Sequence, residues 1–217
     1  MIATLFTDPL FFFLALISIV IAITIHEFAH AKTADYLGDP TPEMQGRVNL
    51  DPRSHLDLYG LLFLLLFGFG WGKPVQFDPY NLKHPRRDAA IISLAGPASN
   101  IALATLCSIL IRLFTFIDIP VLTTISYIIF PPLIMLNLIL CVFNLLPIHP
   151  LDGFKIVGGL LNEHQSHEWY KLERYGLIFL LMLIIPFGGR AMLSTILGPV
   201  LNFLYAFFIP IPTVNFI

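Results

Sequence analysis

The first long apolar run, residues 9–25, ends on two histidines four residues apart with a glutamate between them, His26-Glu27-Phe28-Ala29-His30. Such a run approaches the roughly 20 apolar residues that a helix needs to cross a bilayer. The rest of the chain does not offer a polar coat for it. Of 217 residues, 57% are hydrophobic and only 12% are charged, and the mean hydropathy is +0.81. These values predict an all-α polytopic membrane protein, with the lipid bilayer as its surroundings. Spans and loops together use the whole length, so one membrane-embedded domain over residues 1–217 is expected, with no separate soluble module. The sequence has no basic patch of the kind nucleic acid requires. Cys107 and Cys141 fall inside apolar runs and read as packing residues, not as a disulfide or a metal pair. The start lacks a basic n-region and a small-residue cleavage site, so the first run is expected to be retained.

Punctuation residues divide the chain. Helix one is expected over about residues 9–37, stopped by Gly38-Asp39-Pro40. In the polar stretch that follows, Gly46 to Asp51 can hold a short strand before the break at Pro52. Residues 61–69 are apolar but too short to span, which makes them a re-entrant or surface-embedded piece. Helices two and three are expected over about 85–116 and 120–146. Residues 152–173 read as a charged loop with one short helix, and the apolar stretches 172–186 and 191–208 supply one or two C-terminal helices. The expected fold is thus a three-helix core (about 9–160) plus C-terminal helices (about 165–210), with a short strand or re-entrant segment between helices one and two.

Charge gives the orientation. Of twelve Lys and Arg residues, seven lie between Lys32 and Arg87 and three between Lys155 and Arg174. The connection near Asp118 and the N-terminal tail have none. The positive-inside rule then puts both basic loops in the cytoplasm and the N-terminus outside. The histidine end of helix one and the far end of helix three share the cytoplasmic side.

Ionisable side chains beside a spanning run are expensive and usually functional. Residues i and i+4 share a helix face, so His26 and His30 can aim at one zinc ion. Glu27, one position round, is suited to take a proton from a water acidified by the ion and to give it to a leaving amine. A catalytic zinc has three protein ligands, so a third must come from elsewhere. Asp152, in Asn144-Leu145-Leu146-Pro147-Ile148-His149-Pro150-Leu151-Asp152-Gly153, is the candidate. Taken alone, that fragment allows two roles: Asp152 completes a His₂Asp site, or it caps the helix starting near Gly153.

The combination is more specific than its parts. His-Glu-x-x-His in the first helix with Asn-x-x-Pro-x-x-Pro-Leu-Asp-Gly after the third resembles the site-2 protease family of intramembrane zinc metalloproteases. Ala95-Gly96-Pro97-Ala98-Ser99-Asn100 is similar to that family's Gly-Pro-x-x-Asn element, and Gly72-Lys73-Pro74-Val75 with Asn81 to Arg87 is similar to its preceding loop. The resemblance implies that His26, His30 and Asp152 bind one Zn²⁺ per chain and that Glu27 is the catalytic base. It implies a three-helix catalytic core and, as substrate, a transmembrane helix of another protein. The length has room for neither a PDZ nor a CBS domain, which matches the compact subgroup and, by analogy, a prokaryotic plasma membrane. His149 departs from the family pattern and reads as a tolerated substitution.

Asn100 and Asn144 sit in apolar helices. They either bond across helices or, as their place in both family elements favours, orient the scissile carbonyl and stabilise its oxyanion. Gly96 and Pro97 read as close-packing residues. Arg112 is expected to snorkel to the outer interface. His164 and His167 belong to a solvated helix face, and His55 and His84 have no visible partner. Gly46 to Asp51 would be an edge on which an unwound substrate strand could pair. The rival class is a transporter or channel using His26, Glu27 and Asp152 as a proton or cation relay. The internal repeat that transporters carry is not seen. A second rival, a metal-binding pseudoprotease, conflicts with the intact Glu27. The sequence carries no sign of an oligomeric state.

Overall fold

A computed structural model describes residue 2 and residues 4–67, 70–187 and 190–210. A single turn, α1 (Thr4–Thr7), leads into the long α2 (Pro9–Tyr36). Two more single turns, α3 (Thr41–Met44) and α4 (Pro52–His55), precede the apolar α5 (Leu58–Phe67). After a 3₁₀ turn at Pro79–Asn81 come α6 (Pro85–Ile117) and α7 (Pro120–Asn144). The chain ends with α8 (Asp152–Leu160), α9 (Glu163–Tyr170), α10 (Glu173–Ile184), a two-residue antiparallel pairing of β1 (Pro186–Phe187) with β2 (Arg190–Ala191), and α11 (Met192–Phe208).

Only α2, α6 and α7 are long and apolar enough to cross a membrane among the described residues. Their 28, 33 and 25 residues exceed the length needed for a hydrocarbon core of about 30 Å at about 1.5 Å per residue. Each begins with proline at its first turn, where the missing N–H matters least. Asp8 caps α2 by accepting from Phe11 N at 3.0 Å. Gly38, at φ +102°, ends that helix in a conformation that side chains disfavour. The observed ends of these three helices lie within two residues of the expected ones.

Helix α6 is the central element, packing against α2, α7 and α8. Ala22, Ala31 and Ala34 are fully buried on α2, and these small side chains allow its backbone to come close. A second apolar cluster joins Ala104, Cys107 and Ile111 of α6 to Ile134 and Leu138 of α7 and Phe208 of α11. The last carbonyls of α11 are bonded from α6, Phe208 by Ser108 Oγ and Phe207 by Arg112 at 2.9 Å. Phe13, Ile17, Ile109, Leu113 and Ile128 project outwards from the three long helices. That surface is a liability in water but suits lipid.

Three expectations change. Residues 46–51 form no strand. Asn49 closes a tight turn instead, its amide donating to Gly46 O and its carbonyl oxygen accepting from Asp51 N. Between α2 and α6 the described residues contain one isolated bridge, Leu56 with Gly72. The apolar piece expected over 61–69 is the ten-residue α5, and residues 68 and 69 lie outside the described residues. The charged loop contains two helices, α8 and α9, because Asn162 caps the second through a capping box with Gln165.

Asp39 fastens the link from α2 to the 3₁₀ turn. It is fully buried, and its carboxylate accepts from Thr41 N and Oγ1, Asp78 N and Asn81 Nδ2 at 2.6–3.1 Å. Asp39→Ala strands those donors and should cost roughly 2–4 kcal/mol, read as a lowered unfolding midpoint in detergent. Burial pushes this carboxyl up, but the hydrogen bonds outweigh it and hold it below its ordinary value. A carboxyl lowered on folding stabilises fully above its unfolded value of about 4, and that stabilisation is lost as pH falls through the folded-state value. Asp39→Asn should therefore flatten the acid limb of the stability profile; an unaltered limb would contradict this.

Candidate active site

His26 and His30 lie about 15 and 9 Å short of the Tyr36 end of α2, at about 1.5 Å per residue. Both are buried. Their Nδ1 atoms face acceptors: Asn100 Oδ1 at 2.6 Å for His26 and the Ile92 carbonyl at 2.7 Å for His30. Each Nδ1 therefore carries a proton, and in the neutral ring each Nε2 presents a lone pair. The two Nε2 atoms stand 3.0 Å apart, and Asp152 Oδ2 lies 3.1 Å from that of His26 and 3.2 Å from that of His30. Three potential electron-pair donors thus meet in a buried place, an arrangement that needs a metal ion or a proton among them.

Asp152 reaches this point because α7 stops at Asn144 and the chain turns sharply through residues 145–151. Gly153 permits the turn: a Cβ there would stand 2.4 Å from the carbonyls of Leu145 and Leu146. Helix α8 begins at Asp152 with Leu151 as its cap residue and no side-chain cap bond. The carboxylate faces the imidazoles instead of capping the helix. Gly96 forms the opposite wall. A Cβ on it would lie 2.4 Å from His30 Nε2 and 2.6 Å from His26 Cε1. Its absence of a side chain makes room for both rings, a more specific task than helix packing.

Glu27 faces the same cavity and rests on a platform that the sequence did not disclose. Its Oε2 accepts from Val75 N at 3.0 Å and lies 3.9 Å from the Arg47 guanidinium. Arg47 is 3% exposed and donates to the Lys73 carbonyl, while Lys73 N donates to His55 O at 2.8 Å. His55 is itself buried, with Nε2 donating to Asn49 O. The turn at 46–51 and the extended segment after Gly72 are therefore joined beneath the glutamate. A charged residue so near an apolar helix was the available signal for Arg47, but it was legible only as loop charge.

The cavity holds about 540 Å³ and is mostly apolar, bounded by Ile23, Trp71, Phe77, Leu140 and Leu180 around Glu27. Asn144 lines it, half-buried, with Nδ2 donating to Leu140 O of its own helix. Asn100 is placed differently from the expectation. Fully buried behind His26, it donates from Nδ2 to Asn137 Oδ1 at 2.8 Å and to Ala22 O at 3.3 Å. No N–H of Asn100 remains for a substrate oxyanion. His149 lies 3.6 Å from Glu173 and edge-on to Phe154, at the start of α10. His164 and His167 are exposed on α9.

The donor set fits zinc. Ligands at about 2.0–2.1 Å in tetrahedral array stand about 3.3 Å from one another, close to the spacing of His26, His30 and Asp152. Both imidazoles also have their second nitrogen fixed by an acceptor, as metal-binding histidines do.

Comparison with known proteins agrees. Residues 118–187 match peptidase family M50. A Bacillus subtilis (strain 168) protein named "Putative zinc metalloprotease YwhC" is 37% identical over 190 residues, covering 86% of this chain and 84% of that protein. "Putative zinc metalloprotease Rip2" of Mycobacterium tuberculosis (strain ATCC 25618 / H37Rv) is 34% identical over 172 residues, 76% of this chain. The chain spans 64% of that Rip2. No solved structure matches.

Gly96→Ala tests the wall. Overpacking of this kind costs about 1–3 kcal/mol, so zinc affinity measured by chelator competition should fall by about tenfold or more. Unchanged affinity would show that the rings do not need the space.

Proposed function

The chain belongs to peptidase family M50, the site-2 proteases, which makes it a zinc-dependent membrane metalloprotease, and from that premise we propose that it cleaves a peptide bond within a transmembrane segment of a substrate protein. The observation that carries this proposal is the meeting of His26 Nε2, His30 Nε2 and Asp152 Oδ2 beside Glu27, in an apolar cavity among membrane-length helices. His26, His30 and Asp152 are assigned as the zinc ligands. When bound, zinc supplies a Lewis acid that polarises the scissile carbonyl and acidifies water.

Glu27 is assigned as the base. It takes a proton from the water that attacks the carbonyl carbon and returns one to the amine nitrogen as the C–N bond breaks. Val75 N and Arg47 hold its carboxylate in place. Asn144, on the cavity wall, is assigned to the scissile carbonyl, which it can reach if its amide turns from Leu140. Asn100 is assigned a supporting place behind His26. An apolar cavity favours a transmembrane substrate, whose helix must unwind before water can reach its carbonyls.

Residues 1–217 are taken as one membrane-embedded protease domain, with its catalytic core over about 9–160 and C-terminal helices over about 165–210. The concentration of Lys and Arg in residues 32–87 and 155–174 favours cleavage near the cytoplasmic face, with the N-terminus outside. The bacterial relatives favour a bacterial plasma membrane.

Purified protein with single-span substrates tests the proposal. Glu27→Gln should retain zinc and lose at least about 10²-fold in cleavage rate, the scale of general acid–base catalysis. Equal cleavage by Glu27→Gln would end the assignment.

A further inference from the structure

Asn137 lies in the middle of α7, fully buried, and touches neither the cavity nor the three donors. Its bonds form a line with one direction. Asn137 Nδ2 donates to the Leu133 carbonyl at 2.8 Å, which turns its Oδ1 towards α6. That oxygen accepts from Asn100 Nδ2 at 2.8 Å, which turns Asn100 Oδ1 towards α2. Asn100 Oδ1 meets His26 Nδ1 at 2.6 Å. A backbone carbonyl can only accept, so Leu133 O fixes the sense of every bond that follows. Ala22 O, accepting from the same Asn100 Nδ2 at 3.3 Å, agrees with that sense.

The outcome falls on the imidazole. With an oxygen facing Nδ1, the ring proton must sit there, and Nε2 is left with a lone pair directed at His30 and Asp152. An Asn100 amide turned over would present N–H to Nδ1 and draw the proton to Nε2, where it blocks a metal. We infer that Asn137 is a positioning residue for zinc: acting through Asn100, it holds His26 in the tautomer that can bind the ion. This rests on the assignment of zinc to His26, His30 and Asp152. Burial strengthens the relay, because both amides are fully enclosed and a misdirected one would lose its partner.

The test measures zinc affinity of full-length protein in detergent by chelator competition, with metal content counted per chain. Asn137→Leu, similar in shape but without polar atoms, should weaken zinc by about 10- to 100-fold, the usual effect of removing a group that orients a ligand. Asn137→Asp should stay within about threefold of wild type, because its carboxyl accepts from Asn100 Nδ2 in either protonation state. The double variant Asn100→Leu/Asn137→Leu should bind no more weakly than Asn100→Leu alone, since Asn137 acts only through Asn100. If Asn137→Leu does not accumulate as folded protein, Asn137→Ala carries the same expectation. Wild-type affinity in the apolar variant, or losses that multiply in the double variant, would overturn the inference. If wild type holds no zinc, or His26→Ala keeps it, the ligand assignment fails instead, and the two failures are distinct.

Discussion

Three electron-pair donors held about 3 Å apart among buried side chains are the constraint around which this molecule is arranged. His26, His30 and Asp152 need a positive charge, a metal ion or a proton, between them. Breaking the cluster by removing one partner leaves the others buried and uncompensated. The protein's side of the arrangement is to prevent any other solution. Both imidazoles have their Nδ1 protons directed at fixed acceptors, so in the neutral rings the lone pairs lie on the second nitrogens. The sharp turn after α7 brings the carboxylate to them from 126 residues beyond His26 in the chain.

Helix α6 carries most of that work on one stripe. Ile92, Gly96 and Asn100 recur every four residues, so they lie one above another on the same face. The Ile92 carbonyl fixes His30, the bare Gly96 makes room for both rings, and the Asn100 amide fixes His26. Facing them on α2, running the opposite way, are Ala34, His30, His26 and Ala22, also at four-residue spacing. Small residues flank the histidines on that face, so the two backbones come close enough for a carbonyl of one helix to reach a ring on the other. The motif on α2 and the Gly-Pro-x-x-Asn element on α6 are two halves of one contact.

Much of this was legible in the sequence because its signals are local. Pro9, Pro85 and Pro120 mark the helix starts, and a four-residue spacing suffices to put His26 and His30 on one face. What failed to show was rotation and reach. Hydropathy cannot say which way Asn100 turns, because lipid and protein core are equally apolar and an amide can satisfy itself in either direction of approach. Only the neighbours Asn137 and Ala22 decide it. Residues 46–51 have the alternation of a strand, but Asn49 bonds its own backbone neighbourhood and closes a turn. Arg47 looked like loop charge because the segment that covers it, Lys73 to Val75, arrives from 26 residues away in the chain.

X-ray absorption at the zinc edge of the purified wild-type protein decides whether His26, His30 and Asp152 hold zinc. Ligation by these residues gives a low-coordinate shell of nitrogen and oxygen at about 2.0–2.1 Å, with the outer scattering of two imidazoles and no sulfur. A zinc–sulfur distance of about 2.3 Å, which would implicate Cys107 or Cys141, or a shell without imidazole scattering would contradict it.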